Sequence, residues 1–282
     1  MIKIKFFSSF TTGDECKAVY ERLCNIDKID FYGKNKKIYF TNDDDDDYTH
    51  AIIINTATPE LNIPKSNVIG FAFEPICFLR ISTSFIEYAT KHINKYFIGD
   101  KSGLPEPFTE HFGYMWYATP PKEIKCKSCI MSIVLSEKKF APGHEYRHAL
   151  VKEIIKHNLP IHIYGYGSTL YEYEHVKGSF NYVEPYETYL YSICIENFQS
   201  NHYFSEKIIN PILYECMPIY IGCVNIDNYF DDIIKMTGDI NNDILLIKEI
   251  LHNPIRYYKK PNNTKNLKTI NLIENVERLY NS

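Results

Sequence analysis

The sequence predicts an α/β protein made of two Rossmann-like domains facing a cleft. Three observations carry that prediction. Short apolar runs alternate with segments of helical period across the first hundred residues, a Pro-rich segment without steady period follows, and a second alternating series then begins. Strands of such sheets read as continuous apolar runs, because helices cover both faces.

In the first series, Ile2–Phe7 is expected to be a strand. Asp14–Cys24 is expected to be helical, with Ala18, Val19 and Leu23 on one face. Lys37–Phe40, Ala51–Ile54, Val68–Phe73 and Tyr96–Ile98 suit buried parallel strands, and Ser84–Ile93 a helix. Gly103–Lys127 carries Pro105, Pro107, Pro120 and Pro121 and is the expected crossing between domains. In the second series, Ile130–Leu135, Ile161–Tyr164, Tyr189–Ile195 and Pro218–Ile221 are expected strands. His144–His157, Ser205–Cys216, Asp243–Leu251 and Leu267–Leu279 are expected helices. This organisation gives an N-terminal domain over 1–125, a C-terminal domain over 126–262 and a final helical segment over 263–282 that packs back on the first domain. Open sheets of this kind bind ligands beyond the carboxyl ends of their strands, so candidate residues are sought there.

Composition sets the outer limits. The 282 residues are 45% hydrophobic and 23% charged, enough apolar chain for a sizeable core. A net charge of -4 gives no sign of a nucleic-acid partner. No stretch has the length of apolar chain that spans a bilayer, and Met1–Phe7 lacks the small-residue cleavage site of a signal peptide. Together with eight cysteines read as reduced thiols, this predicts a soluble, cytoplasmic protein. Cys126 and Cys129 form a lone CxxC, read as ordinary thiols because zinc needs two further ligands.

Two positions carry candidate chemistry. Arg147 shares a helical face with Leu150, Val151, Ile154 and Ile155, and the expected helix start puts it in the first turn. A guanidinium near a helix N-terminus and a strand end suits a phosphate, although a surface arginine covering apolar area fits the same pattern. After Tyr189–Ile195 the chain reads Glu196-Asn197, then five residues, then Tyr203-Phe204-Ser205-Glu206-Lys207. Ser205 is a good N-cap. It places Lys207 in the first turn, where a cation opposes the helix dipole unless an anion sits there too.

These residues, with Met217-Pro218-Ile219-Tyr220-Ile221-Gly222 downstream, resemble the donor-binding signature of the α-1,3-fucosyltransferase family. The resemblance covers Ile130–Leu251 and includes the strand–loop–helix around Arg147 and the run Ile161-His162-Ile163-Tyr164-Gly165. It implies the GT-B architecture and inverting, metal-independent transfer of fucose or a related hexose from GDP-fucose or a similar donor to a glycan acceptor, with no further cofactor. Arg147 and Lys207 would then neutralise the donor diphosphate, Asn197, Tyr203 and Glu206 would contact phosphates, sugar or ribose, and Ser205 would keep the capping hydroxyl of the family's threonine. Glu74, at the end of an apolar strand and before Pro75, is the candidate general base. The sequence departs from the family pattern at Phe198 and Phe204, and Pro211 falls inside an expected helix.

Other readings compete. His144-Glu145-Tyr146-Arg147-His148 matches HExxH, the zinc metalloprotease pattern, with Glu172 or Glu174 as a third ligand. Asp43–Asp47 contains the Asp-x-Asp by which the other main glycosyltransferase fold binds manganese, but a run of like charge is better read as a solvated loop. A non-catalytic relative that binds a nucleotide sugar or glycan would keep Arg147, Glu206 and Lys207 but lack the base.

Overall fold

The computed structural model describes residues 1–231 and 233–281. The chain forms two compact units: one holds 1–119, 200–203 and 268–282, the other 120–199 and 204–267. Each is built on a six-stranded sheet.

The first unit contains β1 (Ile2–Ser8), α1 (Gly13–Leu23), β2 (Ile38–Phe40), β3 (His50–Ile54), β4 (Val68–Phe71), α2 (Ile76–Leu79), α3 (Thr83–His92), β5 (Lys95–Ile98) and β6 (Phe108–Glu110). The strands lie in the order β2-β1-β3-β4-β5-β6, and all pairings are parallel. The second unit contains β7 (Cys129–Val134), α4 (Pro142–Lys156), β8 (His162–Tyr164), β9 (Val176–Gly178), α5 (Glu184–Glu187), β10 (Tyr189–Ile195), α6 (Glu206–Leu213), β11 (Met217–Ile221), β12 (Ile234–Lys235), α7 (Ile240–His252) and α8 (Pro254–Tyr257). Its order β12-β11-β10-β7-β8-β9, again parallel, is that of a dinucleotide-type doubly wound sheet. Two helices follow, α9 (Asn263–Ile270) and α10 (Leu272–Asn281).

The α/β class and the two parallel sheets agree with the sequence reading, and the differences are local. Gly103–Lys127 contributes the edge strand β6, too short for its period to show in a Pro-rich stretch. β9, β12 and α5 were also missed, each being four residues or fewer. The single helix expected over Leu267–Leu279 is two. The buried Asn271 interrupts it, and its side chain accepts the Glu274 N–H at 3.1 Å, starting α10 afresh. In the first unit, α10 buries Leu272, Ile273, Val276 and Leu279, and the Tyr280 hydroxyl donates to the Ala51 carbonyl of β3 at 3.0 Å.

The aspartate run has a structural explanation within the first unit. Asp43 and Asp14 bond each other's backbone N–H, at 2.9 and 3.2 Å, tying the run to the first turn of α1. Asp47 pairs with Lys3, and Asp46 lies 3.8 Å from Lys5.

Candidate functional site

Strands β7 and β10 are neighbours at the centre of the second sheet, and the chain winds away from them in opposite directions. That is the switch point where doubly wound sheets leave a crevice for ligands. Two helices begin there, α4 after β7 and α6 after β10.

Helix α4 starts at Pro142, two residues earlier than the sequence reading placed it, with proline at a position where its missing N–H costs nothing. Arg147 is therefore in the second turn. The Gly143 N–H donates to the Asn197 carbonyl at 3.0 Å, and a Cβ at this position would collide with the carbonyl oxygen of Glu196. Glycine thus lets the helix start lie directly on the loop after β10. The close approach buries Arg147, whose guanidinium donates to the Ile195 carbonyl at 2.6 Å and the Asn197 side-chain oxygen at 3.4 Å. A buried guanidinium held by a strand-end carbonyl is a fixed positive charge facing the crevice.

The start of α6 is built around a buried carboxylate. Glu196 accepts the Ser205 N–H at 2.8 Å and the Ser205 hydroxyl at 2.6 Å. The same hydroxyl accepts the Lys207 N–H at 3.3 Å as the helix cap. The Lys207 ammonium lies 2.8 Å from Glu206, 3.2 Å from the Ser205 hydroxyl and 3.8 Å from Glu196. Burial works against charge on all three ionisable groups. On Lys207, the carboxylates of Glu206 and Glu196 outweigh burial and hold the pKa above the ordinary lysine range. For Glu206, the Lys207 charge outweighs burial and keeps the pKa low, whereas for Glu196 burial wins and raises it. Pro211 removes an intrahelical donor one turn further on, so the Lys207 carbonyl lacks its usual partner inside α6.

A pocket of about 430 Å³ opens at this switch point, and Arg147, Asn197, Glu206 and Lys207 all line it. Tyr166, Phe180, Tyr182 and Tyr186 add aromatic side chains to its lining. Lys138, His144 and Ser136 also line it. A cavity with three cations, Lys138, Arg147 and Lys207, a helix N-terminus and aromatic side chains has the chemistry of a nucleotide site, with charge for phosphates and π-faces for a flat base or sugar.

The remaining sequence candidates lie elsewhere. The Ser205 hydroxyl is engaged by Glu196 and the helix start, so it shapes the site rather than lining the pocket. Tyr203 is buried in the first unit, where residues 200–203 pack against Gly99. Glu74 also lies in the first unit, half-buried in the turn between β4 and α2.

The HExxH histidines take separate tasks. His148 has both ring nitrogens engaged, Nδ1 with the Tyr171 hydroxyl at 2.8 Å and Nε2 with the Ser136 carbonyl at 3.0 Å. Among the described residues, no three His, Cys, Asp or Glu side chains converge as a metal site needs.

Sequence reasoning named Glu196 only as part of a motif and passed over its structural task. It also read His144 only through the zinc pattern and missed Ser136. Asp243 enters the sequence reading only as the start of an expected helix; fully buried, it accepts the Thr237 N–H at 2.7 Å, the Gly238 N–H at 2.9 Å and the Tyr146 hydroxyl, fixing the turn after β12 to α4. Nothing in a linear pattern marks a carboxylate whose partners come from two other segments.

The fold is that of the two-sheet GT-B class. More particularly, residues 125–234 match the model of the glycosyltransferase family 10 (fucosyltransferase) C-terminal domain. Among solved structures, the chain is similar to an α1,3-fucosyltransferase with GDP, at 14% identity and a TM-score of 0.58, covering 100% of this chain and 90% of that one. The same coverage holds for an α1,3-fucosyltransferase structure at 13% identity and TM-score 0.57, and for one with GDP-fucose at 12% and 0.52. No curated protein sequence matches the chain. Among the described residues, no helix is long and apolar enough to cross a membrane.

Proposed function

We propose that the protein transfers fucose, or a related hexose, from a GDP-sugar to a carbohydrate hydroxyl, with inversion and without a metal. The observation that carries this reading is the convergence of Arg147, Asn197, Glu206 and Lys207 on one pocket at the switch point of the second sheet. The departing nucleoside diphosphate gains negative charge as the glycosidic bond breaks. Fixed cations stabilise that charge without reorganising during the reaction. Lys207 is paired with Glu206, and a bound diphosphate would offer its ammonium a stronger partner. Solved structures of similar fold hold GDP and GDP-fucose, which supports guanosine as the nucleoside. Tyr203 and Ser205 enter the proposal as residues that shape the loop and cap before α6, and Glu74 as the base that takes the acceptor's proton.

Calorimetric titration with GDP, UDP and ADP tests the reading, first in EDTA and then with manganese. Tight GDP binding in EDTA is the expected outcome. Preference for UDP would remove fucose from the proposal, and binding only with manganese would remove the metal-independent mechanism. Transfer from GDP-fucose to an acceptor, followed by anomeric analysis of the product, separates an inverting enzyme from a non-catalytic binder.

A further inference from the structure

We infer that His144 and Ser136 contact the donor diphosphate directly, each by a hydrogen bond, in a pocket that holds three cations. This rests on the reading of the pocket as the nucleotide site. His144 is 2% exposed and lines the pocket, yet its Nδ1 makes no hydrogen bond to any described residue. The Ser136 hydroxyl, of another residue in the same lining, is likewise buried and without a partner among the described residues. Buried polar atoms are almost always satisfied, and leaving one without a partner is costly. Two such atoms in one pocket point to a ligand that completes both.

The surroundings indicate which ligand. Arg147 on the same helix, Lys138 from the loop after β7 and Lys207 from α6 all set positive charge against His144. Asn197 offers it a side-chain hydrogen bond, and the Phe140 ring stands 4.8 Å away at a steep angle. Glu206 is the carboxylate in the lining, and it is committed to Lys207. Burial together with the three cations lowers the His144 pKa to about 4, so in the free protein the ring is neutral near pH 7. A cationic ligand would meet three like charges, whereas an anion relieves them. A diphosphate oxygen placed between Nδ1 and the Ser136 hydroxyl accepts a proton-bearing partner from each. It also makes protonation of the ring easier, so donor binding is accompanied by proton uptake.

Titration of the full chain with GDP and with inorganic pyrophosphate, between pH 8 and pH 6, tests the inference. Buffers of different ionisation heat report the protons taken up. The terminal phosphates of both ligands titrate in this range too, so the readout is the difference between proteins. The parent is expected to take up more protons on binding each ligand than His144→Gln does, and to gain more affinity, or lose less, towards pH 6. Ser136→Ala should weaken GDP binding while retaining it. The loss in either variant is expected to be about tenfold, as for a hydrogen bond to a charged group. His144→Gln or Ser136→Ala protein that unfolds at the parent's temperature keeps folding apart from binding. If His144→Gln matched the parent in affinity and proton uptake while Lys207→Ala lost GDP, the inference would fail and the pocket would stand. If Lys207→Ala also bound GDP like the parent, the nucleotide reading of the pocket and this inference would fall together.

Discussion

The Ser205 hydroxyl donates to the buried carboxylate of Glu196 at 2.6 Å, and that one bond links the end of a strand to the start of a helix. Its energetic weight is testable. Ser205→Ala removes the helix cap and should cost about 1 kcal/mol. Glu196→Gln keeps the shape but loses the carboxylate, and should cost about 1–3 kcal/mol. Because both changes act on one network, the double variant should lose less than the sum of the two. Urea unfolding of the four proteins measures this, and strict additivity would show the two residues to be independent.

Lys207 and Arg147 should separate by the kind of loss they produce. Lys207 is partly exposed but is the counter-charge of Glu206 and of the buried Glu196. Lys207→Ala should therefore weaken GDP binding about tenfold or more and lower the unfolding temperature less than Arg147→Ala does. Arg147 is buried and holds the Ile195 carbonyl, so Arg147→Ala should lose both binding and stability. Paired calorimetry and thermal melts decide this, and equal thermal losses would contradict the assignment.

Glu74→Gln should leave GDP binding unchanged and cut sugar transfer by about two orders of magnitude or more, as loss of a general base does. Undiminished transfer would place the base elsewhere.

Acid should weaken both units as the pH falls below about 6.5. Burial, its largest cause in each, lowers the pKa of His111 in the first unit and of His144 in the second to about 4. In the unfolded chain the same rings protonate near 6.5. Their contribution is present in full above pH 6.5 and is lost progressively as the pH falls towards 4, because only the unfolded state takes up the protons. Urea midpoints measured between pH 7 and pH 4 should therefore fall, and His111→Phe or His144→Gln should each make the slope shallower. A slope unchanged in both variants would assign the acid sensitivity to other groups.

How much of this was legible in the sequence differs between elements. The parallel strands Ala51–Ile54 and Tyr189–Ile195 were readable because a strand covered on both faces must be apolar along its length, and that is a property of consecutive residues. The cap at Ser205 and the cation at Lys207 were readable for the same reason, since helix starts are local chemistry. β9 and β12 were not, because strands of three and two residues exist only through their neighbours in the sheet.

The sequence by itself determined the α/β class, the start of α6 and the identity of the residues that bring charge to the second sheet. Only the tertiary structure decided which of them meet. Gly143 places α4 against the loop after β10, and that approach buries Arg147 on the Ile195 carbonyl, turns Glu196 into a cap anchor and leaves His144 facing the pocket. These contacts join residues tens of positions apart, and their partners are fixed by strand order and helix approach rather than by spacing along the chain.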